Sequence, residues 1–379
     1  MRVAFIAPSF GFGPASKADY IIKALRHSVS SAHIDFYGSS FALEYITNNS
    51  PVNNIYECDY SKDKDLLMEN IIDYDFVINI MEMEILTHWD KNKPKMLLID
   101  SLNWMWDKLP KGIENVSKYY VQDFMLEEKN LKLDQLEIIR PITFDTNNYL
   151  SKEKENMLLV NFSGMCNPFT SQEYFKKYVC EISEIIINLF YDEFDEIVFT
   201  TNSSLKKDVE VNFKSLSKVK FLFLKHADFL EYMQRSRVVF STPGITITLE
   251  ARELDIDLKY LLPTNYSQVL LSNKYLNEDS NTNCIRLEDF GKNYELDKDM
   301  KEDIAVAKVN KSVIEILSTM KEKLYIEILR IYNNDQTKKN SLKKESILGQ
   351  SEIIDSILKM YGDKIDEDKI PIYTNSRGL

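Results

Sequence analysis

The residues best suited to chemistry lie between Arg237 and Asn277. A β-branched and aromatic run, Val238 to Ser241, breaks at Thr242-Pro243-Gly244, and a helical pattern with Leu249, Ala251 and Leu254 follows. Glycine there lets the backbone N–H groups of a helix N-terminus approach an anion such as a diphosphate. Thr246 and Thr248 add hydroxyls to the same turn. A second apolar run, Leu258 to Leu262, ends at Pro263 and leads into a polar loop with Asn265 and Gln268. Strand, glycine turn, helix, strand, polar loop, helix is a βαβα unit, and such units hold ligands at the carboxyl ends of their strands. Asp100 ends the buried run Met96 to Ile99, the position where α/β enzymes keep polar functional groups. Trp104 and Trp106 follow it, as core packing or as an apolar stacking wall for a ligand. Near the N-terminus, Gly11-Phe12-Gly13-Pro14 follows the run Val3 to Ala7. Without a third glycine this fragment reads either as a turn needing glycine geometry or as a binding loop.

A chain of 379 residues is too long for one typical core and implies two domains. Its 44% hydrophobic and 12% aromatic content is ordinary globular material, and a net charge of -12 argues against a nucleic-acid or anionic-membrane partner. Cys58, Cys166, Cys180 and Cys284 follow no ligand spacing and read as reduced thiols of a cytoplasmic protein. The four histidines do not cluster with them, so no metal site is expected. The apolar run from Met1 stops at Pro8, short of the ~7–15 residues of a signal h-region, and no stretch approaches the ~20 of a transmembrane helix.

The elements that must position these residues alternate along the chain. Apolar runs at Val3 to Ala7, His33 to Tyr37, Asn54 to Cys58, Phe76 to Ile80, Met96 to Ile99, Tyr119 to Val121 and Leu136 to Ile139 read as strands. Helical patterns separate several of them, the first carrying Ala18, Ile21, Ile22 and Leu25. Arg140 to Lys154 is polar enough for a linker. A second series follows with Met157 to Phe162, Ile197 to Thr200, Val219 to Leu224, Val238 to Ser241 and Leu258 to Leu262. Beyond Leu287 no strand is expected. Met300 to Tyr332 carries one helical apolar stripe, Asp335 to Lys344 reads as a loop, and Leu348 to Tyr361 as a last helix. The predicted fold class is α/β, with two doubly wound Rossmann-like domains facing across a cleft and a helical C-terminal tail. The expected boundaries are 1–145, 155–295 and 296–379, the last segment packing partly back on the first domain.

Laid out this way, the chain resembles nucleotide-sugar-dependent glycosyltransferases of the GT-B class. Its pattern is closest to the group containing the lipid II GlcNAc transferase and natural-product transferases that use UDP- or dTDP-sugars. Thr242-Pro243-Gly244, Glu250, Pro263 and Gln268 match that group's small-residue-Gly turn, the Glu six residues on, the Pro-ended strand and the Gln loop. Gly11 to Ser16 resembles its first loop and Arg140-Pro141-Ile142 the approach to its linker.

The resemblance implies a metal-independent, inverting transfer of a sugar to a hydroxyl acceptor, with no cofactor beyond the nucleotide-sugar co-substrate. It implies donor contacts from Thr242, Pro243, Gly244, Ile245 and Thr246, from Glu250 to the ribose, and from Gln268 and Asn265 to the sugar. Ser163, Gly164, Thr201 and Asn202 would flank the diphosphate and base. An acceptor would sit near Phe12, Gly13, Trp104 and Trp106. The catalytic base that inverting members keep near the first loop falls here on Pro14, which leaves Asp100, preferred, and Asp19 as candidates, with His88 more remote. A nucleotide-sugar 2-epimerase and a non-catalytic nucleotide-sugar-binding partner protein are the alternative readings.

Overall fold

The computed structural model describes residues 1–90, 94–105, 108–126, 133–145, 152–278, 283–297, 300–334 and 348–368. Its first half begins with β1 (Arg2–Ile6), α1 (Gly13–Ser28), β2 (His33–Gly38), α2 (Ser40–Asn49), β3 (Asn54–Glu57) and α3 (Tyr60–Asn70). It continues with β4 (Phe76–Ile80), β5 (Lys95–Asp100), β6 (Lys118–Gln122) and β7 (Leu136–Ile139). The seven strands are all parallel, in the order β3-β2-β1-β4-β5-β6-β7.

The second half has β8 (Glu155–Asn161), α4 (Gln172–Phe190), β9 (Glu196–Thr200), α5 (Ser203–Val209), β10 (Val219–Leu222) and α6 (His226–Arg235). After these come β11 (Ser236–Ser241), α7 (Ile245–Glu253), β12 (Leu258–Tyr260) and α8 (Tyr266–Glu278). Its five parallel strands run β10-β9-β8-β11-β12. The strand order reverses at β1/β4 in one sheet and at β8/β11 in the other, which are the crevices where open α/β sheets hold ligands.

The strands form where they do because both faces of each sheet are covered, which permits continuous apolar runs. Along β1, Val3 and Phe5 enter one core while Ala4 and Ile6 enter another on the opposite face. Along β8, Met157 and Leu159 join the same core as Val3 and Phe5, and Leu158 and Val160 point the other way. One apolar layer therefore runs between the two sheets, through Ala18 and Ile22 of α1, Phe229 and Leu230 of α6, and Ile247 and Ala251 of α7.

The tail departs from the single stripe expected over Met300 to Tyr332. It forms α9 (Glu302–Thr319) and α10 (Lys321–Tyr332), broken at Met320 where the backbone leaves helical geometry (φ -127°, ψ 31°). Leu317, Leu324, Ile328 and Ile331 still share one core with Tyr178 and Ile182 of α4. The last helix, α11 (Gly349–Asp368), returns to the first half and places Ile353, Ile354 and Ile357 in the core with α1. The loop reading of Asp335 to Lys344 lies outside the described residues.

Candidate functional site

Helix α1 starts after a turn that needs glycine. Gly11 has φ +65°, its N–H donates to Cys166 O at 2.8 Å, and a Cβ there would lie 3.2 Å from Gly164 O. The turn after β1 is thereby tied to the turn after β8. Helix α7 starts at Gly244, which is extended (φ -165°) and contributes no capping side chain. The two helices lie side by side and run the same way. Lys17 Nζ donates to Thr246 Oγ1 at 3.1 Å near their starts, and Tyr20 Oη donates to Glu250 Oε1 at 2.8 Å one turn on.

Parallel neighbours bring two positive helix ends together, an arrangement that repels itself unless negative charge is supplied. The sequence does not supply it. Neither α1 nor α7 has an acidic residue in its first turn, and neither N-cap makes a side-chain hydrogen bond. Lys17 adds a cation at the same end and is only 2% exposed. Burial pulls its ammonium down to about 8, with the charge of Glu250 opposing that shift. No carboxylate lies within ion-pair distance of Lys17 among the described residues. The free first-turn N–H groups of α7, the N-terminus of α1 and the Lys17 ammonium thus form a cradle for an anion.

One turn deeper the seam is closed. Glu250 is 2% exposed, and its Oε1 takes the Tyr20 hydrogen and lies 2.9 Å from His226 Nε2. Burial, reinforced by the Glu250 charge, raises the Tyr20 phenol well above its ordinary value and keeps it a donor. His226 is anchored through its own backbone N–H to Asn49 Oδ1. The Tyr20 hydroxyl thus stands on the oxygen that the resemblance gives to a ribose. Lys17, Tyr20 and His226 were not picked out from the sequence. The signal available for two of them was spacing, since Gly13, Lys17 and Tyr20 fall on one helical face.

The other expected residues divide. Ser163, half-buried, and Gly164, exposed, border the cradle at the β8 turn. Thr242 and Pro243 are buried beneath it, and Ile245 packs with Trp104, Phe124, Leu249 and Leu271. Thr248 is turned inward, its hydroxyl donating to Gly244 O and accepting from Tyr260 Oη. Gln268 Oε1 accepts from the Thr264 N–H and hydroxyl, and Asn265 Oδ1 from the Gln268 N–H and the Ser267 hydroxyl, so both brace their own turn. Thr201 is 1% exposed, and Asn202 caps α5 while donating to Met165 O. Phe12 stacks obliquely on Tyr45 with centroids 5.3 Å apart, and Gly13 faces Thr246. Trp104 is packed against the second half, its indole N–H donating to Ser101 O. Trp106 lies outside the described residues.

Both expected bases are engaged elsewhere. Asp100 is fully buried, with Oδ1 accepting the Leu102 N–H and Oδ2 the Tyr119 hydroxyl at 2.7 Å each. Asp19 is equally buried and held by Lys23 and Ser50 at 2.7 Å each. Burial raises it against those two partners. His88 is exposed beside Lys64. A carboxylate not singled out from the sequence, Glu82, follows β4 beside Cys58 and Tyr60. It is 7% exposed, accepts the Glu84 N–H at 2.9 Å, and burial pushes it up to about 7.

No protein-family model matches the sequence, and no characterised protein matches it by sequence comparison. Solved structures do match. The S. aureus MnaA co-structure with UDP aligns over 96% of this chain and 97% of its own, with a TM-score of 0.53 at 12% identity. Glycyrrhiza uralensis UGT73P12, complexed with glycyrrhetinic acid 3-O-monoglucuronide, aligns over 97% and 98%, with a TM-score of 0.53 at 9% identity. Os79 from O. sativa, in complex with UDP, aligns over 94% and 100%, with a TM-score of 0.50 at 12% identity. At such identities the likeness speaks to architecture alone: the chain has the two-sheet GT-B fold, with a C-terminal helix returned to its first half.

Proposed function

We propose that the protein is a nucleotide-sugar-dependent glycosyltransferase whose leaving diphosphate is held where α1 and α7 begin. The observation that carries this reading is Lys17, a buried cation without a carboxylate partner among the described residues, between two helix ends that carry no acidic residue or side-chain cap. Negative charge growing on a departing diphosphate is what such fixed donors stabilise. Two of the similar structures contain UDP, which supports a uridine or thymidine diphosphate as the donor's nucleotide. Ser163, Gly164, Thr201 and Asn202 stay the candidates flanking diphosphate and base, with Gly244, Ile245 and Thr246 at the phosphates.

The acceptor's proton needs a base that is uncharged or charged at will near neutral pH. Glu82, which follows β4 and is pushed up to about 7, meets that condition with one oxygen on the Glu84 N–H, whereas both oxygens of Asp100 and both of Asp19 are bonded. Inversion at the sugar carbon is part of the proposal.

Lys17→Met tests the cradle. UDP affinity, measured by calorimetry, should fall by up to ~100-fold, the worth of a charge-assisted bond. Unchanged affinity would sink the reading. Glu82→Gln tests the base: UDP should bind as in the wild type while sugar transfer, scored as UDP released in the presence of acceptor, drops ~100-fold or more. Binding of UDP with no transfer to any acceptor would instead favour a non-catalytic binding protein.

A further inference from the structure

Strand β4 carries one polar side chain, Asn79, between Ile78 and Ile80, and it is fully buried. An unbonded amide there would cost stability, so its partners matter. Oδ1 accepts the Glu82 N–H at 2.9 Å, and Nδ2 donates to Glu82 O at 2.8 Å. One side chain thus meets both backbone polar groups of a residue three positions on, and no step above uses it.

The turn that Asn79 spans is strained. Met81 has φ +62°, a left-handed backbone that residues with a Cβ rarely adopt and that glycine adopts freely. It is held there from two sides. Its own N–H donates to Ile99 O of β5 at 3.0 Å, and the Asn79 amide closes the turn over it. Strain of this kind persists where surrounding bonds over-determine it, and it gathers at functional positions. What the turn presents is Glu82, whose Oε1 accepts the Glu84 N–H. Burial raises its carboxyl, with the Glu84 N–H opposing and the Glu84 charge assisting. Cys58 and Tyr60 face it from the start of α3 and stay neutral, because burial pushes the thiol up to about 12 and the phenol well above its ordinary value.

We propose that Asn79 is a positioning residue for Glu82: its amide clamps the Glu82 backbone across the left-handed Met81 and so holds the carboxyl inside the fold. That Glu82 in turn takes the acceptor's proton rests on the reading under Proposed function.

The test follows the Glu82 carboxyl itself, by carbon-13 NMR of the full chain labelled at glutamate, its signal identified by loss in Glu82→Gln. In the wild type that signal should titrate at about 7. Asn79→Leu removes the clamp at nearly constant size, and Asn79→Ser removes it with a shorter polar side chain. Both should bring the midpoint toward the ordinary 4.5, a ~tenfold or larger loss of proton affinity. The other glutamate signals should stay in place, which shows that the fold is intact. A purely structural Asn79 would lower resistance to urea and leave the Glu82 midpoint where it was. A second measurement needs no variant: the Glu82 amide of the wild type should exchange its hydrogen ~100-fold more slowly than an exposed amide. A wild-type titration at the ordinary value, a midpoint unmoved in both variants, or a fast-exchanging Glu82 amide overturns the proposal. The base is judged separately, by the pH dependence of UDP release from UDP-glucose to water. If that dependence stays put while the Glu82 signal moves, Glu82 is not the base and Asn79 still positions it.

Discussion

The two ends of the α1–α7 seam have opposite electrostatics. At the open end sit two helix starts without side-chain caps and Lys17, all of one sign, and among the described residues Lys17 bonds to the Thr246 hydroxyl. One turn away sit Tyr20, Glu250 and His226, where a single carboxylate oxygen meets two partners in a buried contact. The same pair of helices therefore stores unfavourable charge at one end and closes the gap between the two halves at the other. The difference teaches where to look for a ligand: at the end whose charge the chain leaves unbalanced.

Variants at the open end should weaken anion binding without weakening the fold, and variants at the closed end should weaken the fold without weakening anion binding. The largest effect is expected from pH. Lys17 binds its proton more weakly in the folded protein, at about 8, than at the ordinary 10.5 of an unfolded chain. The penalty for charging it is present below pH 8 and disappears as pH rises from 8 to 10.5, by on the order of 3 kcal/mol. Denaturation of the wild type relative to Lys17→Met should show stability rising across that window, while pyrophosphate affinity falls over the same range. Parallel slopes for stability and affinity would break the comparison.

Next in size, Tyr20→Phe should destabilise the fold by about 2 kcal/mol in urea melts, because Glu250 loses one of its two partners. Pyrophosphate affinity should stay within a factor of two. An affinity loss as large as the stability loss would show that the two ends act as one site. The smallest effect belongs to Thr246→Ala. Freeing Lys17 from its one hydroxyl should change stability by no more than about 1 kcal/mol and anion affinity by a few-fold.

Much of the architecture is legible because buried parallel strands write themselves as unbroken apolar runs. Phe76 to Ile80, all buried, could hardly be read otherwise. The break at Met320 is not legible, since the apolar stripe passes through it without glycine or proline. The site is harder to read than the fold. A lysine in an amphipathic helix reads as a solvated residue, and only a second helix more than 200 positions away encloses Lys17. A similar distance separates Glu250 from Tyr20, one of its two partners. Gln268 and Asn265 add a detail that loop polarity alone does not reveal: their amide oxygens are bonded within their own turn.

The return of α11 sets a timetable for synthesis. Gly349 N–H donates to Pro141 O, Glu352 Oε2 accepts the Arg140 N–H, and Gln350 Nε2 donates to Thr143 O. A Cβ on Gly349 would lie 2.0 Å from Arg140 O, so this docking tolerates no larger residue. The stretch it clasps leaves the ribosome about 200 residues earlier. At ~5–20 residues per second the first half waits ~10–40 s for its last wall, with the apolar side of α1 uncovered meanwhile. Release of a chain cut short before Gly349 leaves that side open for good.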